Sequence, residues 1–531
     1  MTPRYALFLL ILISTLLRLL WAGAVGLGND EAYHYLFTQH PDWSYFDHPP
    51  LLALVERLGI LLAGGEATAF SVRLGFIALF AGSTWLMARL STQLYGEPAG
   101  FFAALALNLT AYHSVAAGTF ALPDGPLLFF WLLTLDRLIA AMETPERLGP
   151  WMLVGLAWGG ALLSKYHAVF LPIATFLYFL NEPSARMFLK RPGPYVAVLI
   201  GSLLFAPVIF WNAQHDWVSF VFQGGRAVGE LRFRPDILAG AVLGQMLYLF
   251  PWIWLSLVVI LVQIARGLFR RDEGVAIERF LVLQSLVPLA TFMVVACTRA
   301  VLPHWTLVGF LPLFPMLGRA WAAKPLGFSK RLRFLSFLMP AIAAVVWVQC
   351  VTGILQQGGS GTLGLLKVSR DPTLDLYGWD VVGRELRSRG LLDRPDTFVF
   401  TSSWYYSGHV GHAIRHSKTP VLCYNSWNAR SFRFWSRPDE WLGKEGILVS
   451  LNNHSAEPHC YDRYFERIEL IGEFAVERAG APVRKVRLYR CGRQIKAFPF
   501  DGFEKTDPDR KIAKSIGKAK PAVMTTDSRT R

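Results

Sequence analysis

The chain has 531 residues, 53% of them hydrophobic and 17% charged, with a mean hydropathy of +0.34; that is too apolar and too long for one soluble domain and points to a polytopic membrane protein. The formal net charge of +15 fits the Lys and Arg that gather in cytoplasmic loops of inner-membrane proteins, and nucleic-acid binding is set aside because the basic residues form no patch on a recognisable module. The five cysteines include no CxxC pair, which removes a Cys-pair metal site; two of Cys423, Cys460 and Cys491 could pair if their region is extracytoplasmic.

The opening run, "MTPRYALFLLILISTLLRLLWAGAVGLGN", is interrupted by Arg18 and lacks a good small-residue cleavage site, so it reads as an uncleaved first span rather than a signal peptide. Further spans of about 20 apolar residues are expected near 70–90, 99–118, 124–142, 194–212, 238–265, 279–298, 301–321 and 333–355, with an interfacial amphipathic helix at 51–64. The stretch 151–181 would be about 46 Å long as one helix, longer than a hydrocarbon core of about 30 Å, and "SKYH" at 164–167 breaks it. Two short spans with Lys165 at the turn fit better.

Basic loops at 186–191, 266–271 and 324–333 then share one side, which the positive-inside rule makes cytoplasmic. The count is about eleven spans, with the N-terminus inside and the C-terminal region outside. On this topology five polar features fall on the same outer face: the 28–51 loop, Asp124, Lys165, the 213–237 loop, and the turn from Arg299 to His304. The expected architecture is an all-α membrane domain over 1–355, a small extracytoplasmic α/β domain over 356–495, and a basic, disordered tail over 496–531. In the second domain "DTFVFTSS", "TPVLCYN" and "EGILVSLN" read as strands, and "GWDVVGRELRSRG" and "WYYSGHVGHAIRH" as helices.

Each polar feature has a structural and a functional reading. Asp30 and Glu31 follow the first span. Adjacent carboxylates repel unless a cation or donor offsets them, which makes the pair a candidate general base or divalent-metal site as well as a plain solvated loop. Asp47 and His48 precede Pro49-Pro50, which fixes the return to the membrane. Asp124, in "LPDGPL", suits a helix N-terminus. Lys165, beside Tyr166, either snorkels or holds a lipid phosphate. Arg226 lies in a loop mixing Trp217, Phe220 and Phe222 with arginines, a composition suited to anionic headgroups and equally to an interfacial anchor.

Taken together, "NDEAYHYLFTQHPDWSYFDHPPL", "LPDGPLLFFW", "LLSKYHAVFL", "IFWNAQHDWVSFVFQ", "HWTLVGFLPL" and "DPTLDLYGW" resemble, in order, segments of the bacterial branch of the protein O-mannosyltransferase superfamily. That branch includes the lipid A aminoarabinose transferase and the rhizobial lipopolysaccharide galacturonosyltransferases, and the likeness covers roughly residues 1–450. The resemblance implies a GT-C glycosyltransferase of the bacterial inner membrane. Such an enzyme moves a sugar from a polyprenyl-phosphate donor to a lipid or glycan acceptor, such as lipid A or a core glycan, at the outer face. It implies Asp30, the acidic residue after the first span, as the catalytic residue, with Glu31 beside it. The aminoarabinose branch has Glu-Lys before the paired prolines; this chain has Asp47-His48, and a histidine carries less charge than a lysine at neutral pH. Lys165, Arg226 or Arg299 then become the candidate phosphate-binding cations, with Tyr166 and His304 in the same binding group. No cofactor is demanded by the residues, and a divalent metal at Asp30 and Glu31 stays an open alternative. A lipid-linked sugar flippase would also need many spans and buried charge, but alternating access calls for a midplane site between repeats, and no internal repeat is seen. A lipid-phosphate phosphatase or ligase would need a His nucleophile or a close Arg/His cluster, which the sequence lacks.

Overall fold

The structure is a computed structural model that describes residues 2–225, 232–268, 276–323, 328–451 and 458–500. It divides into two compact units, one of Met1–Ala24 with Pro41–Val345, the other of Val25–His40 with the chain from Val346 onward.

The first unit is helical. Five helices are long and apolar enough to cross a membrane: Pro3–Ala24, Ala69–Tyr95, Asp124–Glu143, Pro192–Gln214 and Ala276–Ala296. Two more candidates are broken. Glu97–Leu109 continues into Tyr112–Thr119 with an 83° bend, and Pro235–Leu249 into Pro251–Arg266 with a 111° bend. The second break has a local cause: Phe250 has φ +68° and Pro251 can only begin a helix, not continue one. Leu148–Ser164, Tyr166–Asn181 and Ser336–Thr352 are shorter apolar helices. The division of 151–181 into two at Lys165 is therefore present. By contrast, 238–265 is not one straight span, and 301–321 is not a regular helix but a 3-10 segment, Pro303–Leu313, running into Phe314–Ala322. Leu51–Leu62 is the expected short amphipathic helix, with Leu52 buried and Leu54, Leu58 and Leu61 exposed.

Outward leucines such as Leu12, Leu16 and Leu20 on the first helix suit hydrocarbon as solvent. The interior is built on large rings, among them Phe80, Trp131, Trp151, Phe280 and Phe314. Arg18, which looked like a flaw in the first span, is buried and satisfied. It donates to Ser14 O at 2.7 Å, Ser114 Oγ at 2.7 Å and Asn108 Oδ1 at 3.2 Å, and lies 4.2 Å from the Phe80 ring centre. An arginine inside a membrane unit has to find such acceptors, because lipid tails offer none.

The second unit is α/β. Its sheet has the order β2-β1-β3-β5-β4, with β1 Thr397–Thr401, β2 Val421–Cys423, β3 Glu445–Leu451, β4 Ile468–Arg478 and β5 Ala481–Arg493. β1 runs parallel to both β2 and β3, while β5 is antiparallel to β3 and β4. The three strands and two helices read from sequence are present, as Trp379–Ser388 and Trp404–Ala413 for the helices. The β4–β5 hairpin was missed, because "VRKVRLYRC" keeps period-2 alternation only over its middle, from Lys485 to Leu488. Ala479 and Gly480 turn it with φ +53° and +73°, the two-residue geometry that matches strand twist. Ordered chain also continues past residue 495: Phe498 is buried and stacks on Tyr424 at 4.3 Å, and Phe500 is buried too. The expected disordered tail thus does not begin at 496, and 501–531 lie outside the described residues. Cys423 and Cys491 are buried free thiols, and burial raises both, Cys491 to about 12.

Arg478, at the end of β4, is buried against Asp371, with further hydrogen bonds to Gln356 and Thr373. Burial opposes ionisation of Asp371, but hydrogen bonds from Thr373, Arg478 and Gln349 outweigh it and hold the carboxyl below its ordinary range. A carboxylate depressed in the native state contributes stability above the unfolded value of about 3.9 and loses it as pH falls through the native value. Arg478→Met should therefore cost about 3–5 kcal/mol at neutral pH, because it strands a buried charge. It should also move acid unfolding of this unit to higher pH. Near-ultraviolet circular dichroism of the full chain in detergent, titrated with acid, checks both.

Candidate active site

The polar centre of the membrane unit is an ion pair. Asp124 is the first residue of Asp124–Glu143, where the helix N-terminus favours a carboxylate. Lys165 ends Leu148–Ser164 in extended backbone, with φ −161° and ψ +141°. Its Nζ donates to both oxygens of Asp124 at 2.9 Å, and the two residues are 6% and 8% exposed. Two charges removed from water need this geometry, since each alone would carry a large desolvation cost.

Three irregular elements meet beside the pair. Tyr112–Ala116 is a π-helical turn at the break of the 97–119 span. The Tyr112 ring stacks on Tyr248, from the helix before the second break, at 5.3 Å and 15°. It also stacks on His304, at the start of the 3-10 segment, at 5.3 Å and 9°. Tyr112, His113, Asp124, His304 and Leu307 line one small cavity. His167 lies within electrostatic reach of Lys165, Asp124, His304 and His48. Non-helical backbone at membrane depth is tolerated where it lines a cavity or is covered by protein, and π-turns concentrate at functional sites.

The loop that follows the paired acids is fixed from the other side. Ser219 Oγ donates to Tyr45 O at 2.8 Å, Gln223 Nε2 to Asp47 O at 2.8 Å, and Trp211 Nε1 to Asp42 Oδ2 at 2.7 Å. Asp47 is buried at 2% exposure. Tyr166 faces the same loop, with Ser44, Asp47, Asn212 and Ser219 as its polar neighbours.

Asp30 and Glu31 belong to the second unit, on the helix Asn29–Gln39. Glu31 is buried, and its Oε2 accepts the Gly28 N–H at 2.8 Å, so its carboxylate caps its own helix. Asp30 is exposed. The two therefore do not present a shared pair of ligands, and among the described residues no group of three or more His, Cys, Asp or Glu side chains could hold a metal ion.

Of the residues singled out in the sequence, the fold brings Asp124, Lys165 and His304 together, with Asp47, His48 and Tyr166 on the adjoining loop side of the same unit. Arg299 is partly buried at the end of Ala276–Ala296, where its N–H donates to Val295 O at 2.9 Å. Arg226 lies outside the described residues. Sequence reasoning missed His113 and His167 as members of the cluster. The signal was available: both are histidines inside otherwise apolar stretches, where ionisable groups are costly and tend to be functional.

Residues 47–211 match the family model described as dolichyl-phosphate-mannose-protein mannosyltransferase, an interval that holds Asp47, His48, Asp124 and Lys165 but neither Asp30 nor His304. The chain is 29% identical over 218 residues to the lipid A galacturonosyltransferase RgtD of Rhizobium johnstonii, a match over 41% of this chain and 45% of RgtD. The aligned region thus spans under half the length of that relative. The crystal structure of ArnT from Cupriavidus metallidurans in the apo state superposes with a TM-score of 0.61 at 15% identity, covering 91% of this chain and 97% of ArnT. The chain has the GT-C type of fold seen in ArnT, and its sequence resembles the bacterial branch of the protein O-mannosyltransferase superfamily.

Proposed function

We propose that the protein is an integral-membrane glycosyltransferase that moves a sugar from a polyprenyl-phosphate donor to an envelope acceptor, lipid A or a core glycan, at the periplasmic face of the bacterial inner membrane. The observation that carries the reading is the buried Lys165–Asp124 pair beside His304 and His167, where two broken spans and a 3-10 segment converge. A lysine already oriented by an aspartate, with imidazoles around it, is a site built for an anionic group that stays within the membrane unit. The likeness to RgtD adds lipid A as the first acceptor to test and galacturonic acid as the first sugar.

In this mechanism the acceptor hydroxyl attacks the anomeric carbon. The bond from that carbon to the donor phosphate oxygen breaks, and the phosphate leaves with the electron pair. The hydroxyl is a weak nucleophile, so a carboxylate removes its proton as attack proceeds. Asp30 is assigned that role, because it is exposed whereas Glu31 is committed to its helix cap. The charge that grows on the leaving phosphate is stabilised by Lys165, with His304 and a basic loop residue such as Arg226 or Arg299 as supporting groups. Asp47, His48 and Tyr166 shape the acceptor or donor side. One displacement gives inversion at the anomeric carbon. No step requires a metal.

Four outcomes test this reading. Mass spectrometry of envelope glycolipids from cells with and without the chain should show one added sugar mass that depends on it. In the same assay Asp30→Asn should lower the rate of that addition by about 10²–10⁴-fold, and near wild-type transfer would remove the assignment of the base. Lys165→Met should lower it by about 10²–10³-fold and also reduce thermal stability in detergent. Adding Asp124→Leu to Lys165→Met should recover most of the stability but none of the activity, because an apolar pair tolerates burial and a lone carboxylate does not.

A further inference from the structure

The C-terminal fold holds the residue next to Asp30 by both ends of its side-chain amide. Asn29 Nδ2 donates to Asp375 Oδ2 at 2.8 Å. Its Oδ1 is thereby left as the acceptor for His409, whose Nε2 is 2.9 Å away. His409 is 1% exposed and stacks on Trp379 at 4.0 Å and 4°. Trp379 in turn donates from Nε1 to Asp375 O at 2.9 Å, which closes the circuit. Burial first, then the nearby Arg484 and His412, holds His409 well below its ordinary value. With Asn29 Oδ1 as the acceptor, the ring nitrogen that faces it, Nε2, takes the donor role.

The rest of the segment is fixed as well. Gly26 N–H donates to Leu376 O at 3.0 Å. The Tyr33 hydroxyl donates to Ser431 Oγ at 2.8 Å and accepts from the Ser431 N–H at 3.1 Å. A Cβ on Gly408 would stand 2.7 Å from Tyr33 N, so the helix Trp404–Ala413 abuts Asn29–Gln39 backbone to backbone, and only glycine fits there. Every side chain from Glu31 to Thr38 is buried, while Asp30 is exposed.

We infer that Asn29 is a positioning residue, and that the Asn29–Asp375–Trp379–His409 circuit exists to aim the Asp30 carboxylate. The inference rests on the reading of Asp30 as the base. An exposed aspartate in the first turn of a helix would ordinarily follow the fraying of that turn. Here Asn29 has its amide hydrogen-bonded at both ends to a folded domain, and Glu31 has its carboxylate on Gly28. The Cα–Cβ direction of Asp30 is thus set by neighbours on both sides. A base must sit within hydrogen-bond reach of the proton it takes, and misplacement by about 1 Å costs on the order of 10²-fold in rate. A small α/β domain on a membrane glycosyltransferase thereby gains a role: it supplies the rigid support of the base.

The test compares variants at equal membrane abundance in cells, reading the initial rate at which the added sugar mass appears on envelope glycolipids. Asn29→Ala should lower the rate about 10- to 100-fold. Asp375→Ala should do the same, and Asp375→Asn, which keeps an acceptor for the Asn29 amide, should recover most of what Asp375→Ala loses. The decisive readout is the double variant: Asn29→Ala with Asp30→Asn should be no slower than Asp30→Asn alone, since nothing is left to aim. Asn29→Ala within twofold of wild type, in a background where Asp30→Asn is impaired, would overturn the inference. So would effects that multiply in the double variant, which mark a role independent of Asp30. Near wild-type activity of Asp30→Asn instead overturns the assignment of the base. If Asn29→Ala does not accumulate, the contrast between Asp375→Ala and Asp375→Asn decides.

Discussion

Hydrocarbon offers no hydrogen-bond partner, so every charge and every non-helical peptide group inside a membrane unit must be satisfied by the protein itself. The Asp124–Lys165 pair is where this constraint acts most strongly. Lys165 sits where one short apolar helix ends and another begins, and Asp124 sits at the start of a third. Pairing them ties the 148–181 hairpin to the 124–143 helix, and the bent spans and the 3-10 segment cover the same place. Arg18 obeys the same rule by a different route, with two carbonyls, an amide and a hydroxyl instead of an acid.

On the proposed function, the two units divide the chemistry. The membrane unit holds a lysine, an aspartate and imidazoles, a set suited to an anion. The other unit holds an exposed aspartate on a helix that the sequence places directly after the first span but that packs with the C-terminal sheet domain. The position of that helix in the chain is misleading about its partners: Tyr33 and Phe37 are buried among Trp404, Phe432 and Trp435. An extended contact of this kind, between residues 398 positions apart, has no local signature.

Residues of similar appearance also separate by role once neighbours are known. Asp30 and Glu31 look equivalent in sequence, yet the capping geometry claims Glu31 and leaves Asp30 exposed. His48, His113, His167 and His304 are scattered over some 250 positions, and each alone reads as an isolated polar residue. Only the crossing of helices gathers them around one ion pair.

By itself the sequence determined that the chain is a polytopic membrane protein with a small α/β domain and that 151–181 divides at Lys165, and it singled out Asp124, Lys165 and His304 as polar features without pairing them. Those readings rest on hydropathy over about 20 residues and on the cost of charge in lipid, both of which act locally. The tertiary structure decided that the 238–265 and 99–118 spans bend, that 303–313 is not a regular helix, and that His113 and His167 join the cluster. It also decided that the helix bearing Asp30 belongs with the C-terminal fold. Each of these depends on which distant side chain supplies a hydrogen bond or a ring contact, and no spacing along the chain encodes that choice.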